Sequence, residues 1–312
     1  MKEIYLKIKE IIQKNYKKEL DGNILDIITI SAMALYLQQP DLTLKKLPDI
    51  MNKIDILSGE EKISSYILQK HPNYPWNSAL DSQSAMVVRA LKAKSKPVEE
   101  EWTMAISTKN IENDIVNIVA KTIHELTHLF RFFGIEESKR EIVIKDGVCF
   151  TTLDKKKGKR TTDNYNFEEG IVEFYTKETL EKFYKYLELE NDLSFSSKLE
   201  MLKNNYNGEY KNVYALQVTV IELLCSNPKF RELIDESFEP SSTYPSLITY
   251  YNNINNNHAA FSILSSGLDR AVENSKKGNM KVASLIIDGL KPGIKKVVDE
   301  AKRTENAIKL IR

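Results

Sequence analysis

The feature that most constrains this sequence is a pair of histidines inside a long amphipathic segment. The run His124-Glu125-Leu126-Thr127-His128 lies within residues 111–133, where apolar side chains recur at helical spacing. Side chains four residues apart stack on one face of a helix, so both imidazoles can reach one metal ion. The pattern therefore predicts a helix over 111–133 that offers two imidazole ligands, a donor type that suits Zn²⁺.

Glu125 follows the first histidine and is rotated away from the face that would bind the metal. From there it can hold a water molecule at the ion without becoming a ligand itself. It can then take the proton of that water and pass it to a leaving amine. We therefore expect Glu125 to be the general base of a hydrolytic reaction. The alternative is two structural histidines on a packed helix, beside a solvated glutamate.

A catalytic zinc needs a third protein ligand and an open coordination position. The metzincin extension of this motif places a glycine and then a histidine where this chain has Arg131 and Gly134, so that class is excluded. The two cysteines, Cys149 and Cys225, do not fit a deformylase type of site. A glutamate on a second helix is the remaining common choice.

The helix predicted over about 167–190 offers such a glutamate. Glu169 and Glu173 are four residues apart and share a face, and Gly170 would let this helix approach the histidine helix closely. Glu169 would bind the metal. Glu173 would accept a hydrogen bond from a ligand histidine and fix its tautomer.

Two alternatives stay open for this second helix. Glu168 competes with Glu169 as the ligand, although the residue four positions on, Val172, offers it no supporting carboxylate. Glu169 itself could be a solvated charge, or part of a capping box in which Asn166 is the N-cap.

The segments HELTH and EEGIVEFYT together resemble the gluzincin branch of the zincin metallopeptidases. By that resemblance His124, His128 and Glu169 are ligands of one zinc ion per chain, and Glu125 is the catalytic residue. The resemblance covers about residues 100–225. The separation of the two segments exceeds that of thermolysin-like enzymes, and a hairpin predicted over 141–152 accounts for the excess.

The resemblance also implies where a peptide would bind. Zincins place an edge strand beside the active-site helix, and an extended peptide pairs with it. The alternating segment Glu101–Ser107 is the strand expected in that position.

The group that stabilises the oxyanion is the least determined part of the site. Gluzincins often use a tyrosine or a histidine from the C-terminal helical part. We expect Tyr214 in this role, with Tyr210 and His258 as open alternatives.

Composition excludes several other classes of protein. The chain has 45 Lys and Arg against 44 Asp and Glu, a net charge of +1, which argues against a dedicated nucleic-acid binder. The basic run 155–160 is expected to be a solvated turn. No run approaches the ~20 apolar residues of a membrane span, and the N-terminus lacks a secretory core. The expectation is a cytoplasmic protein that acts on a peptide or protein, without nucleic-acid or membrane partners.

The expected fold is α+β and predominantly helical. Residues 1–95 form a helical N-terminal region, including a helix over 78–93. Residues 96–312 form a zincin-like domain with a small antiparallel sheet and a helical C-terminal part. The expected function is that of a zinc-dependent metallopeptidase, and the alternative is a catalytically silent zincin-like protein that binds a partner. The sequence leaves the oligomeric state open.

Overall fold

The computed structural model describes residues 1–72, 84–92, 99–109, 111–208, 210, 214–238 and 243–311. It is mostly helical with small sheets, which confirms the expected α+β class. The chain divides into two compact units: the first contains Met1–Phe130 and Tyr175–Lys211, and the second contains Arg131–Phe174 and Asn212–Arg312. The expected domain division near residue 95 stays a prediction.

The first unit contains helices and one sheet. Its helices are α1 (Lys2–Asn15), α2 (Gly22–Gln38), α3 (Pro40–Lys53), α4 (Ile63–Lys70), α5 (Ile111–Phe130) and α7 (Ser197–Asn205). Its strands are β1 (Ile54–Gly59), β2 (Ala85–Lys92) and β3 (Glu99–Ser107). Helix α6 (Tyr165–Leu189) begins in the second unit and ends in the first.

The second unit contains a meander of strands followed by helices. Its strands are β4 (Phe132–Glu137), β5 (Glu141–Asp146), β6 (Cys149–Asp154) and β7 (Arg160–Asp163). Its helices, after the start of α6, are α8 (Ala215–Cys225), α9 (Pro228–Glu236), α10 (Thr243–Asn255), α11 (Ala260–Lys276) and α12 (Met280–Ile311). Within the described residues, no helix has the length and hydrophobicity of a membrane span.

Helix α2 is the centre of the first unit. It is apolar on all sides, and most of its residues from Ile24 to Leu35 are buried. The Asp21 carboxylate caps its start by accepting the backbone N–H of Asn23. Helices α1, α3 and α5 all pack against it. Burial against α2 therefore fixes the apolar side of the histidine helix α5.

The sheet of the first unit has the order β1-β3-β2, with β3 parallel to β1 and antiparallel to β2. Two expectations are wrong here. The strand predicted over Glu101–Ser107 is the central strand of the described sheet, not an edge. The segment expected to be helical over 78–93 contains strand β2, while 78–83 and residue 93 lie outside the described residues.

The side chains of β2 explain this second error. Met86 and Val88 are both buried against Ile63 and Ile67 of α4. Two side chains that are two residues apart and share a face show the period of a strand. A short apolar run matches both the helical and the strand period, and the pairing with β3 decides between them.

The sheet of the second unit is antiparallel, in the order β4-β5-β6-β7. The predicted hairpin is confirmed: β5 and β6 pair around Gly147, which has a φ of +57°. Two boundaries differ from expectation. Helix α5 ends at Phe130, and Phe132 and Phe133, which were expected in this helix, belong to β4. The basic run 155–160, expected to be a turn, ends in the first residue of β7.

A buried ion pair joins the hairpin to the start of α6. The side chain of Arg131 is fully buried and makes a two-point contact with the Glu168 carboxylate, in which Nη2 lies 3.0 Å from Oε2. Glu168 Oε2 also accepts the Val148 backbone N–H at 2.9 Å. Arg131 Nη1 donates to Ser237 Oγ at 2.7 Å, so both partners are held on several sides.

This ion pair gives a prediction about stability. Arg131→Leu leaves the Glu168 carboxylate buried without its counter-charge, which typically costs ~3–5 kcal/mol of unfolding free energy. Urea denaturation followed by circular dichroism measures the loss. The Arg131→Leu/Glu168→Gln double variant should lose less than the sum of its single changes. Additive losses would show that the two side chains do not stabilise each other.

Candidate functional site

The two histidines of the motif meet on the surface of α5. Their Nε2 atoms lie 3.2 Å apart, and their ring centroids are separated by 4.9 Å at an interplanar angle of 72°. His124 is buried and His128 is half-buried. The helical spacing therefore brings both imidazoles to one point, as expected from the sequence.

This separation fits a shared metal ion. Two nitrogen ligands at 2.0–2.1 Å from a tetrahedral zinc are about 3.3 Å apart. The observed 3.2 Å lies close to that value, so the pair could hold one ion with little movement. The same distance also suits a hydrogen bond in which one imidazole donates to the other. Metal content separates the two interpretations.

Glu125 lies beside this pair and is buried. Its Oε2 accepts the backbone N–H of Val87 on β2 at 2.9 Å. In the described sheet β2 pairs only with β3, so this N–H points away from the sheet towards α5. The carboxylate is therefore held at the outer side of β2, the edge that could receive an extended chain.

Three glutamates at the start of α6, in the second unit, are buried: Glu168, Glu169 and Glu173. Glu168 accepts hydrogen bonds from the Arg131 side chain and from the Val148 backbone N–H, so its role is structural. Glu169 and Glu173 lie one helical turn apart and share a face of α6. This distribution favours Glu169 over Glu168 as a metal ligand, while the assignment of Glu169 itself stays a prediction.

The approach to α5 expected of Gly170 stays a prediction, and within the second unit Gly170 contacts α8. A Cβ atom at this position would lie 2.9 Å from the Cβ of Gln217 and 3.1 Å from its backbone oxygen. The small residue therefore permits a close approach of α8, on which Gln217 lies, and the sequence offered no signal that the contact would be with this helix.

The capping box with Asn166 as the N-cap, the alternative left open by the sequence, is wrong. Helix α6 begins at Tyr165, so Asn166 lies inside it. The Asn166 side chain donates to Asp269 at 2.8 Å and accepts from Gln217 at 3.2 Å. It ties α6 to α11 and α8 instead of capping the helix.

The candidates for oxyanion stabilisation lie in different units. Tyr214 is half-buried just before α8 in the second unit, and His258 is exposed between α10 and α11. Tyr210 belongs to the first unit, where Lys121 Nζ lies 5.6 Å from its ring centroid. The role of Tyr214 therefore stays a prediction.

The basic run Lys155–Arg160 forms the turn expected of it. Lys155 pairs with Glu137, and Asp154 Oδ1 accepts the backbone N–H of Lys156 at 2.8 Å and of Lys157 at 2.9 Å. Gly158, with a φ of +61°, completes the turn before β7.

Comparisons of the chain with protein-family models, with curated proteins and with solved structures found no match. The function is therefore argued from the site alone.

The histidine pair gives a prediction about metal. After dialysis, the purified protein should retain about one zinc per chain, as three-ligand sites do. His124→Ala and His128→Ala should each lose it, because each removes one of the converging imidazoles. His258→Ala is the matched control and should keep the metal, which elemental analysis measures. A metal-free parent protein that does not take up added zinc would make the pair structural.

Proposed function

We propose that this protein is a zinc-dependent metallopeptidase in which His124, His128 and Glu169 are the zinc ligands. The observation that carries the proposal is the 3.2 Å separation of the two Nε2 atoms, with the carboxylate of Glu125 next to them on α5. Two imidazoles and an adjacent carboxylate on one helix are what metal-assisted hydrolysis requires.

The choice of the third ligand rests on the chemistry of α6. Of its buried carboxylates, Glu168 already neutralises Arg131, and a carboxylate held at three points is poorly placed to move onto a metal. Glu169 lies on the adjacent position, and Glu173 follows it by one turn. Glu169 is the proposed ligand, and Glu173 is the proposed positioning residue, which holds the outer N–H of a ligand imidazole.

Glu125 is the proposed general base. Bound zinc would lower the pKa of water and polarise the carbonyl of the substrate. The N–H of Val87 fixes the orientation of the Glu125 carboxylate through Oε2, at 2.9 Å. Its other oxygen, Oε1, would accept the proton of the attacking water and return it to the leaving amine.

Strand β2 is the proposed place of the substrate backbone. On its outer side the Val87 N–H is bonded to Glu125, and an extended peptide would form its backbone hydrogen bonds with the other outward-facing groups of β2 beside the base. The proposed binding edge is therefore β2, next to β3, the strand expected in this role from the sequence.

A binding protein without turnover is the second candidate. The bond between Glu125 and Val87 favours it, because that bond gives the glutamate a structural task in holding β2 against α5. The two candidates differ in whether peptide is cleaved.

Substitution of Glu125 separates these candidates. Glu125→Gln should keep zinc and lose turnover by ~10²–10⁴-fold, because it removes the base and leaves the ligands unchanged. Glu112→Gln, an exposed change on the same helix, is the matched control. Cleavage of a random peptide library is followed by mass spectrometry, together with zinc content. Equal cleavage by Glu125→Gln would eliminate the mechanism, and no cleavage by the parent protein would favour the binding protein.

The three glutamates of α6 should differ in their effect on zinc. Glu169→Ala should weaken zinc binding most. Glu173→Ala should weaken it by ~10–100-fold, the usual effect of removing a carboxylate that orients a ligand. Glu168→Gln should lower the unfolding free energy while zinc affinity stays near that of the parent protein. Competition with a chromogenic chelator measures the affinities, and undiminished affinity in Glu169→Ala would refute it as a ligand.

A further inference from the structure

The outer side of α12, in the second unit, begins with apolar side chains that the rest of the fold leaves exposed. Met280, Val282 and Leu285 are 62%, 45% and 70% exposed, three large apolar side chains within six residues. Other residues form the buried side of the helix: Ala283, Leu290, Ile294 and Val297. Single exposed apolar residues are ordinary on a protein surface, whereas a group of them marks a site of interaction.

The exposed apolar residues continue as a stripe along the helix. Four exposed residues follow one another at intervals of three or four: Val282, Leu285, Gly289 and Pro292. This spacing puts them on one side of the helix, over about 15 Å of its length. A Cβ atom at Gly289 would meet nothing within 4 Å, so this side is open. We call these four residues the α12 stripe.

Lysines surround the α12 stripe. Residues 273–296 carry six lysines against two acids, a net charge of +4 in a chain whose total is +1. Both acids have partners, Glu273 with Lys277 and Asp288 with Lys291. The other four lysines are exposed and, within the residues that the structure describes, form no ion pair: Lys276, Lys281, Lys295 and Lys296. This concentration of positive charge favours an anionic partner.

An anionic lipid surface fits this combination better than another protein does. Two copies of the chain that met through the α12 stripe would bring their lysines together, and like charges oppose such a contact. An acidic protein would need a surface that matches the shape of the stripe. A membrane attracts the lysines to its headgroups and accepts the apolar side chains just beneath them. The lysine stems can then lie along the apolar boundary while the ammonium groups stay in water.

We propose that the α12 stripe binds the surface of an anionic lipid membrane, with Val282 and Leu285 inserted and the four exposed lysines at the headgroups. The helix would lie in the plane of the interface, as amphipathic helices do. The expectation of no membrane partner rested on the lack of an apolar run long enough to span a bilayer, and binding at the surface needs no such run. The proposal is independent of the zinc site, because it uses none of the residues of that site.

Vesicle binding tests this proposal on the full-length protein. Co-sedimentation is measured with vesicles of equal parts phosphatidylcholine and phosphatidylserine, and with vesicles of phosphatidylcholine alone. The anionic vesicles should bind about tenfold more tightly or better, because each lysine near an anionic surface adds to the attraction. This preference should weaken as the salt concentration is raised, since salt screens the charges.

Two double variants separate the apolar and the charged contributions. Val282→Ser/Leu285→Ser should weaken binding to anionic vesicles by ~10-fold or more, since it removes the side chains that insert. Lys276→Glu/Lys281→Glu should also weaken it by ~10-fold or more, since it replaces attraction to the headgroups by repulsion. All four side chains are exposed, so both variants should stay folded, which circular dichroism checks.

The matched controls change the same residue types elsewhere. Leu189→Ser alters an exposed leucine at the end of α6, and Lys17→Glu reverses an exposed lysine between α1 and α2. Neither change should alter vesicle binding.

No binding to anionic vesicles, equal binding to neutral vesicles, or undiminished binding in folded Val282→Ser/Leu285→Ser would overturn the proposal. A dimer that forms without vesicles and dissociates in this variant, measured by analytical ultracentrifugation, would overturn it in favour of a second copy of the chain. Binding of polyglutamate in place of vesicles would overturn it in favour of an acidic protein.

Discussion

The two sides of α5 face different environments, and the candidate chemistry depends on that contrast. Its apolar side is buried against α2, so the helix cannot rotate without exposing this surface to water. The opposite side then has to present His124 and His128 together, at an Nε2 separation of 3.2 Å. Buried imidazoles are stable only with a partner, and this separation suits either a hydrogen bond between the two rings or the shared metal ion of the proposal.

In the second unit, buried carboxylates on α6 also need partners. Three carboxylates enter its first turns in buried positions, where a carboxylate without a partner is costly. Arg131 and the Val148 backbone satisfy Glu168 and at the same time fix the hairpin turn. Glu168 therefore has a structural role, while the metal-binding role of Glu169 next to it in the sequence is the proposal.

Part of this could be predicted from the sequence. The helix of the motif could be predicted because its apolar period extends over five turns. The hairpin could be predicted because an Asp-Gly pair, here Asp146-Gly147, is typical of a tight hairpin turn. Strand β2 was missed because its short apolar run matches two periods, and only pairing with β3 decides between them. The contact of Gly170 with Gln217 and the ion pair of Arg131 join residues that are far apart in sequence.

The central claim is that two imidazoles and one carboxylate of this chain hold a single zinc ion. X-ray absorption at the zinc edge of the loaded protein tests it most directly. The account predicts a first shell of nitrogen and oxygen only, at ~2.0–2.1 Å, with the outer scattering of two imidazole rings. A sulfur ligand at ~2.3 Å, or a spectrum without imidazole scattering, would contradict it.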